Sequence, residues 1–455
     1  MQSAWGSPRA DMYRVFIDTP RWLFLAALVF APWAYGCTRF WALNILRITM
    51  ALILLLWLAG CIARRAKPAV PPLLLGTAAF LLLQGWWMIA NAHYVYDSQN
   101  LQFVQISSLL NFAPGDVDTV FAVPAMFRLT GLLGMVCFVA DLAQRPQWRR
   151  RLWQTIGFTG ASLIVYGIYR RVEGSPEVTS GGTEIYTFFA NYIYHANAGA
   201  FINLVFPPIA GLAFLAFQVP KAGFGRALWL PAALLCIAGA FVATSKAGMV
   251  ITALLSVILV WWQWRFFMTQ IRSVSSKLFI VYAALAIVAT GAVISVGWQY
   301  AATEWGRMEG EMTNNGRLLV YGACTKMLPD SGAWGFGPGN FMITFPHYTG
   351  YLGNEIAGVW EFAHEDYLQT LIEWGWIGAA AWAALFFGGM VAGWRDYYRR
   401  SQRVSPDRIF LFTTLLALAG LALHALVDFP LQIASLQLYV ATYLGLAWGS
   451  SAWKR

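Results

Sequence analysis

Charged residues are scarce in this sequence. Asp, Glu, Lys and Arg make up 11% of the 455 residues, which is about half the share found in soluble proteins. Hydrophobic residues make up 59%. This composition excludes an ordinary soluble domain and predicts a polytopic membrane protein.

Three further features are missing. The five cysteines lie mostly in apolar runs without C-x-x-C spacing, so we expect neither a metal site nor a redox pair. No linker rich in Ser, Gly or charge divides the chain, which favours one integral-membrane domain over residues 1–455. No A-x-A-like cleavage site follows the first apolar run, so we interpret that run as a retained helix.

The apolar runs predict an all-α helix bundle. A run near 20 residues long crosses a bilayer as a helix, because a helix satisfies its own backbone hydrogen bonds. About twelve runs approach this length. They cover residues 22–36, 41–63, 70–91, 124–143, 152–172, 198–218, 226–244, 247–264, 278–299, 375–393, 408–428 and 433–450.

Lys and Arg concentrate in alternate loops, which hold most of the 31 basic residues. Basic loops near membrane helices stay in the cytoplasm, so we expect both termini to be cytoplasmic. The same asymmetry accounts for the net charge of +10 without a nucleic-acid partner. Alternation places the remaining loops on the opposite side of the membrane: 92–123, 173–197, 245–246 and 300–374.

The segment 300–374, between the predicted ninth and tenth membrane helices, is the longest polar stretch. Asn315-Gly316 indicates a turn, residues 317–328 fit a short helix, and a helical pattern resumes at His364. Gly335 to Gly339 fit no regular structure, and no strand precedes them, which argues against a nucleotide-binding loop. We expect an outward loop that carries short helices.

His364 is the candidate general base. Helical spacing puts His364 and Tyr367 on one face, and a carboxylate, Glu365 or Asp366, is close in sequence and suited to orient the imidazole. Because an imidazole titrates near neutral pH, a positioned His364 suits proton transfer.

Lys246 and Arg317 are candidate ligands of an anion. Lys246 lies in a tight turn between two membrane helices, and Arg317 follows the Asn-Gly turn on the same side. With Arg307 they would form an outward-facing basic site. Two plainer interpretations stay open: Lys246 reaches lipid headgroups, and Arg317 forms a salt bridge with Glu309 or Glu311.

Two polar groups are candidates for substrate binding. His424 and Asp428 are one helical turn apart, so Asp428 can orient His424 or form a purely structural pair with it. Asn191, His195 and Asn197 follow aromatic residues before a membrane helix. Amides and rings suit a sugar, although interfacial Tyr and His residues are also common without a ligand.

Other charged residues lie outside these groups. Arg47 and Arg128 stand within apolar runs and are expected to reach the interface or backbone carbonyls, with a ligand headgroup as the alternative for Arg128. Asp116 and Asp118 form a D-x-D pattern that some metal-dependent sugar transferases use. We interpret them as two acids in a solvated loop and expect no metal.

Taken together, these motifs resemble the O-antigen ligase and polymerase family of integral-membrane glycosyltransferases. The resemblance is strongest between Thr244 and Asp428. The order of the motifs along the chain identifies the family more specifically than any single motif does. Lys246 stands where the family generally has Arg, and Glu365 where Asn is frequent. The motifs are Ser245-Lys246-Ala247-Gly248, Gly316-Arg317, Pro329 to Phe341, Ala363 to Leu368, Glu373-Trp374-Gly375 and His424 to Phe429.

The resemblance implies a GT-C-like helix bundle in the bacterial inner membrane, with its active site on the periplasmic side. It implies transfer of a glycan from undecaprenyl diphosphate to a hydroxyl acceptor such as lipid A core, without metal, nucleotide sugar or cofactor. His364 would take the acceptor's proton, while Arg317 and Lys246 would stabilise the leaving diphosphate. A polymerase that joins lipid-linked repeat units is the alternative, and a lipid-linked glycan flippase fits less well.

Overall fold

The computed structural model describes residues 8–174, 177–180, 183–186, 189–218, 223–264, 316–356, 359–400 and 405–453, together with a few isolated positions between 265 and 315. Its main helices are α1 (Pro8–Trp33), α2 (Phe40–Ala63), α3 (Pro72–Ala90), α4 (Thr119–Leu142), α5 (Pro146–Glu173), α6 (His195–Gln218), α7 (Gly223–Val242), α8 (Lys246–Trp262), α9 (Gly316–Ser331), α10 (Phe341–Thr344), α11 (Asp366–Arg399), α12 (Pro406–His424) and α13 (Ala434–Gly449).

The described part of the chain is mostly helical, as the apolar runs predict. Among the described residues, six helices are long and apolar enough to cross a bilayer, namely α2, α3, α4, α6, α11 and α12. Leu228–Val242 and Lys246–Trp262 are shorter apolar helices. The total of about twelve spans stays a prediction, and the apolar run 278–299 lies almost entirely outside the described residues.

Helix α6 forms the centre of the bundle, because nearly all its side chains are buried. It continues through Pro207 and Pro208. Proline has no backbone N–H, so Pro208 leaves the Leu204 carbonyl without its helical donor. The Tyr443 hydroxyl of α13 donates to that carbonyl at 2.8 Å, which ties α13 to the central helix.

A second, smaller core lies under the segment between α9 and α11. Val320 and Cys324 of α9 pack there with Phe341, Phe345 and Ile372. The predicted short helix after Asn315-Gly316 is confirmed, since α9 begins at Gly316 and ends at Ser331.

The glycine run is irregular, as expected, and docks against α11. Gly335, Gly337 and Gly339 all have positive φ angles, which glycine adopts without steric cost. The Phe336 and Gly337 amides donate to the carbonyls of Ile372 and Glu373 at 3.0 Å. This loop therefore positions the start of α11.

Two short antiparallel hairpins depart from the all-α expectation. Strand β1 (Tyr94–Asp97) pairs with β2 (Gln102–Gln105), and β3 (Glu177–Ser180) pairs with β4 (Thr183–Tyr186). The sequence analysis placed both regions in outer loops of an all-α protein. Four-residue strands carry too little periodicity to be recognised from hydrophobic pattern.

Candidate active site

Four segments that are distant in sequence meet at one end of the bundle. Tyr194 precedes α6, Arg317 lies in the first turn of α9, His364 precedes α11, and Asp428 follows α12. Their side chains contact one another, and we call these four residues the His364 cluster.

Asp428 is the centre of the cluster. Its Oδ1 lies 3.4 Å from Nδ1 of His364, and its Oδ2 lies 3.6 Å from a terminal nitrogen of Arg317. The Tyr194 hydroxyl donates to the same Oδ2 at 3.3 Å. The Asp428 side chain is 5% exposed, so one buried carboxylate connects all three partners.

The carboxylate of Asp428 stays ionised despite its burial. Burial by itself would raise its pKa, but contact with His364 and the charge of Arg317 outweigh that effect and hold the pKa below its usual value. Burial raises the pKa of the Tyr194 hydroxyl. Tyr194 therefore remains a hydrogen-bond donor to a negatively charged partner.

Arg317 is anchored on one side and open on the other. It donates to the Tyr194 hydroxyl at 2.8 Å and to the Val427 carbonyl at 3.2 Å. Its side chain is nevertheless 41% exposed. Burial acts to lower its pKa, but Tyr194 and Asp428 reverse the effect and raise it, so the guanidinium keeps its charge and has surface left for a ligand.

His364 is held in an aromatic enclosure. Its ring lies edge to face with Phe429 at 4.6 Å and with Trp360 at 5.2 Å between ring centroids. The Tyr321 hydroxyl donates to the His364 carbonyl at 2.8 Å, which supports a backbone with φ of +55°. Nδ1 faces Asp428, and this orientation leaves Nε2 for a proton from a ligand.

Glu365 does not contact the imidazole in the way its sequence position suggested. Its carboxylate accepts a hydrogen bond from the Leu368 amide and caps the N-terminus of α11. Asp366 is buried and accepts from the Leu431 amide at 2.8 Å. The carboxylate beside His364 is Asp428, because the Glu365 carboxylate caps α11 and the Asp366 carboxylate faces Leu431 and Gln432.

Tyr367 and Asn191 make structural contacts, and Asn197, from the same predicted sugar-binding group as Asn191, is buried. The Tyr367 hydroxyl donates to the Ala422 carbonyl at 2.8 Å. Asn191 donates to the Trp33 carbonyl at the end of α1. Asn197 is buried in the first turn of α6. The sugar-binding role of this group stays a prediction.

His424 and His195 lie beside the cluster. His424 is fully buried as the last residue of α12, and neither ring nitrogen has a hydrogen-bond partner among the described residues. The predicted helix 408–428 ends at His424, so Asp428 lies in the following turn. His195 begins α6 and its ring stacks on Tyr194 at 4.7 Å.

Lys246 is half-buried at the first position of α8 and forms no ion pair with another described residue. The start of α8 packs on the first turn of α6, where a Cβ on Gly199 would lie 2.7 Å from the Cβ of Ser245. Lys246 therefore lies at the same end of the bundle as Tyr194. Arg307, the third predicted cation, lies outside the described residues.

The D-x-D acids are not solvated, contrary to the sequence interpretation. Asp116 is 0% and Asp118 is 1% exposed. Asn340 donates to Asp116, and Asp118 accepts from the Phe121 amide and caps α4. Asp116 therefore joins Asn340, next to the glycine run, to the loop between α3 and α4, whereas Asp118 holds the start of α4 and accepts from the Tyr96 amide.

The sequence analysis missed Tyr194, Trp360 and Phe429 as site residues. Each is adjacent to, or a few residues from, a residue that was singled out, as Tyr194 is to His195. In a chain with 16% aromatic residues, that proximity alone does not separate a site residue from the interface belt.

A model of the family described as O-Antigen ligase matches residues 231–383. This stretch contains Lys246, Arg317 and His364, whereas Tyr194 and Asp428 lie outside it. No curated protein matches the chain. The match confirms the resemblance inferred from the motifs: residues 231–383 of this chain are similar to the O-antigen ligase family.

Proposed function

We propose that the protein is a glycosyltransferase that moves a glycan from undecaprenyl diphosphate to a hydroxyl acceptor at the periplasmic membrane surface. The observation that carries the proposal is the contact of His364 and Arg317 with one buried carboxylate, Asp428. This arrangement joins a base to an exposed cation, which are the two groups that the transfer requires.

The base acts on the acceptor. Nε2 of His364 accepts the hydroxyl proton as the acceptor oxygen attacks the anomeric carbon. Asp428 holds Nδ1 and stabilises the imidazolium that forms, as a carboxylate does in other acid–base pairs. The bond between the anomeric carbon and the diphosphate oxygen breaks, and the diphosphate leaves with the electron pair.

Arg317 acts on the donor. Negative charge grows on the leaving diphosphate, and a positioned cation stabilises that charge. The exposed part of the Arg317 guanidinium offers the hydrogen-bond donors. Lys246 supplies a second positive charge at the same end of the bundle, without the two-pronged geometry of arginine.

The activity can be measured with purified protein and a defined undecaprenyl-diphosphate glycan. Lipid A core and a second lipid-linked repeat unit are offered as acceptors. We expect product with lipid A core, the ligase outcome; product with the repeat unit alone would replace the ligase proposal with the polymerase alternative.

His364→Ala should lower the rate by roughly 10²–10⁴-fold, the usual contribution of a general base. Arg317→Ala should lower it by about 10²–10³-fold, as loss of a transition-state donor does. Transfer is measured together with the melting temperature, to separate chemistry from folding.

Two matched controls test the assignment. His347 is exposed, and its ring packs at a tilt against Phe103, outside the His364 cluster. Arg150 is exposed in the first turns of α5. His347→Ala and Arg150→Ala should keep the wild-type rate. Full activity of both His364→Ala and Arg317→Ala would refute the proposed mechanism.

A further inference from the structure

A cavity of about 620 Å³ lies inside the bundle, between α4, α11 and α13. Its walls are mostly apolar and include Leu132, Phe386 and Leu444. None of the four residues of the His364 cluster lines it. The cavity is therefore separate from the proposed catalytic contacts.

Two arginines line this apolar cavity, Arg47 of α2 and Arg128 of α4. Arg128 lies nine positions after the first residue of α4, one of the helices long and apolar enough to cross a bilayer, which is about 13 Å along the helix axis at 1.5 Å per residue. A charged side chain at such depth is costly unless it is paired or faces a polar ligand.

Neither arginine has an acidic partner within ion-pair distance among the described residues. Arg47 donates to the Pro124 carbonyl at 3.0 Å and to the Asn44 side chain at 3.1 Å. Arg128 makes no hydrogen bond to another described residue, and its buried Nε is unpartnered. Arg128 thus has its full donor capacity available to an occupant of the cavity.

The acids in the cavity wall are already engaged. Glu373 interacts with the charge of Arg128 from beyond ion-pair distance, and its carboxylate accepts from the Gly339 amide and from the Gln369 side chain, both at 3.0 Å. Asp366 accepts from the Leu431 amide and the Gln432 side chain. Glu361 is exposed at the rim. Among the charged groups deep in the cavity, Arg128 is therefore the one whose hydrogen-bonding atoms no described residue uses.

The cavity reaches the surface of the bundle and also the edge of the His364 cluster. Pro124, Ala383 and Phe387 line it and are exposed on the helix surface. On the other side, Phe362 lines the cavity and stacks at 4.7 Å on Phe429, the ring that contacts His364. A lipid could enter sideways from the bilayer.

We propose that this cavity binds the phosphate headgroup of a lipid. Arg128 and Arg47 contact the phosphate oxygens, and the apolar walls of α4, α11 and α13 contact the hydrocarbon chain. Arginine and phosphate match in charge and in hydrogen-bond geometry, and burial of the chain favours an amphiphile over free phosphate.

The test uses full-length protein in an uncharged detergent and does not depend on transfer activity. Dodecyl phosphate is titrated into wild type and into Arg317→Gln, and native mass spectrometry reads the bound fraction. The Arg317→Gln background removes phosphate binding at the His364 cluster. We expect one dodecyl phosphate to bind in that background, and its absence would overturn the proposal.

Arg128→Gln in the same background should weaken binding by about tenfold or more, the usual effect of losing a hydrogen bond to a charged group. Ala441→Phe, which fills the cavity without changing any charge, should also weaken binding. The matched control Arg150→Gln should bind as its parent does. Unchanged binding in Arg128→Gln and Ala441→Phe would overturn the proposal.

Competition with inorganic phosphate tests whether the cavity prefers a phosphorylated lipid or free phosphate. We expect it to displace dodecyl phosphate only at far higher concentration, because it gains nothing from the apolar walls. Equal potency of the two would refute a lipid site. Because this experiment measures binding and not transfer, neither outcome contradicts the proposed transfer reaction.

Discussion

At the scale of single residues, one carboxylate organises the candidate site. Asp428 contacts His364, Arg317 and Tyr194 from three other segments of the chain. Loss of that charge would leave Arg317 without its acidic partner and His364 without the group that faces Nδ1. The cluster therefore depends on Asp428, although Asp428 makes no proposed contact with substrate.

Asp116 shows the opposite electrostatic effect. Burial raises its pKa to about 7, although hydrogen bonds from the Asp118 amide and Asn340 oppose the shift. The unfolded chain loses this proton near pH 3.9. The folded protein therefore binds an extra proton between these pH values, and the stabilisation is full below the unfolded pKa and disappears as pH rises through about 7.

We expect wild type to lose roughly 2–3 kcal/mol of stability from Asp116 between about pH 5 and pH 8, at 1.36 kcal/mol per pKa unit. Asp116→Asn should show a smaller decrease in melting temperature over that range. Asp97→Asn, in the exposed hairpin turn, should keep the wild-type pH dependence. An equal pH dependence in Asp116→Asn would contradict the assignment.

At the scale of elements, Gly375 joins the outer part of α11 to its membrane-spanning part. Its φ is +63° within the assigned helix. A Cβ at this position would lie 2.4 Å from backbone atoms of Ala333 and Trp334. The short helix after His364 can therefore dock on the glycine loop only while residue 375 has no side chain.

Gly375→Ala should reduce stability by more than the ~1–2 kcal/mol that a left-handed backbone costs a non-glycine residue, because the loop must also move away. Thermal unfolding in detergent measures the effect. Gly350→Ala is the matched control, since a Cβ there meets nothing within 4 Å. Equal melting temperatures for the two variants would show that the contact is dispensable.

At the scale of the whole molecule, the alternation of basic loops predicts which end of the bundle faces outward. Arg150 is exposed near the start of α5, and His347 is exposed between α9 and α11. If the proposed orientation is correct, these two positions lie on opposite sides of the membrane.

Cysteine labelling tests this orientation with little background, because all five native cysteines are buried. In spheroplasts, a membrane-impermeant maleimide should label His347→Cys. Arg150→Cys should be labelled only after permeabilisation. The reverse pattern would place the His364 cluster on the cytoplasmic side and contradict the proposed periplasmic transfer.

Much of the scaffold could be predicted from the sequence. Helices such as α2 and α3 begin and end close to the predicted bounds, because a long apolar run in a bilayer has one conformation that satisfies its backbone. The irregular glycine run and the helix after Gly316 were also predicted correctly, from residues with strong local preferences. These features depend on neighbours in the chain.

The sequence by itself therefore determined the apolar helices, the family motifs and the candidates His364 and Arg317. Only the tertiary structure decided that Asp428, rather than Glu365, faces His364, and that Arg128 lines a cavity without a described partner. Contacts between distant segments depend on how helices pack and where each one ends. Helix α12, for example, ends at His424, so Asp428 lies in the following turn and contacts His364 and Arg317. No local preference of the chain specifies such contacts.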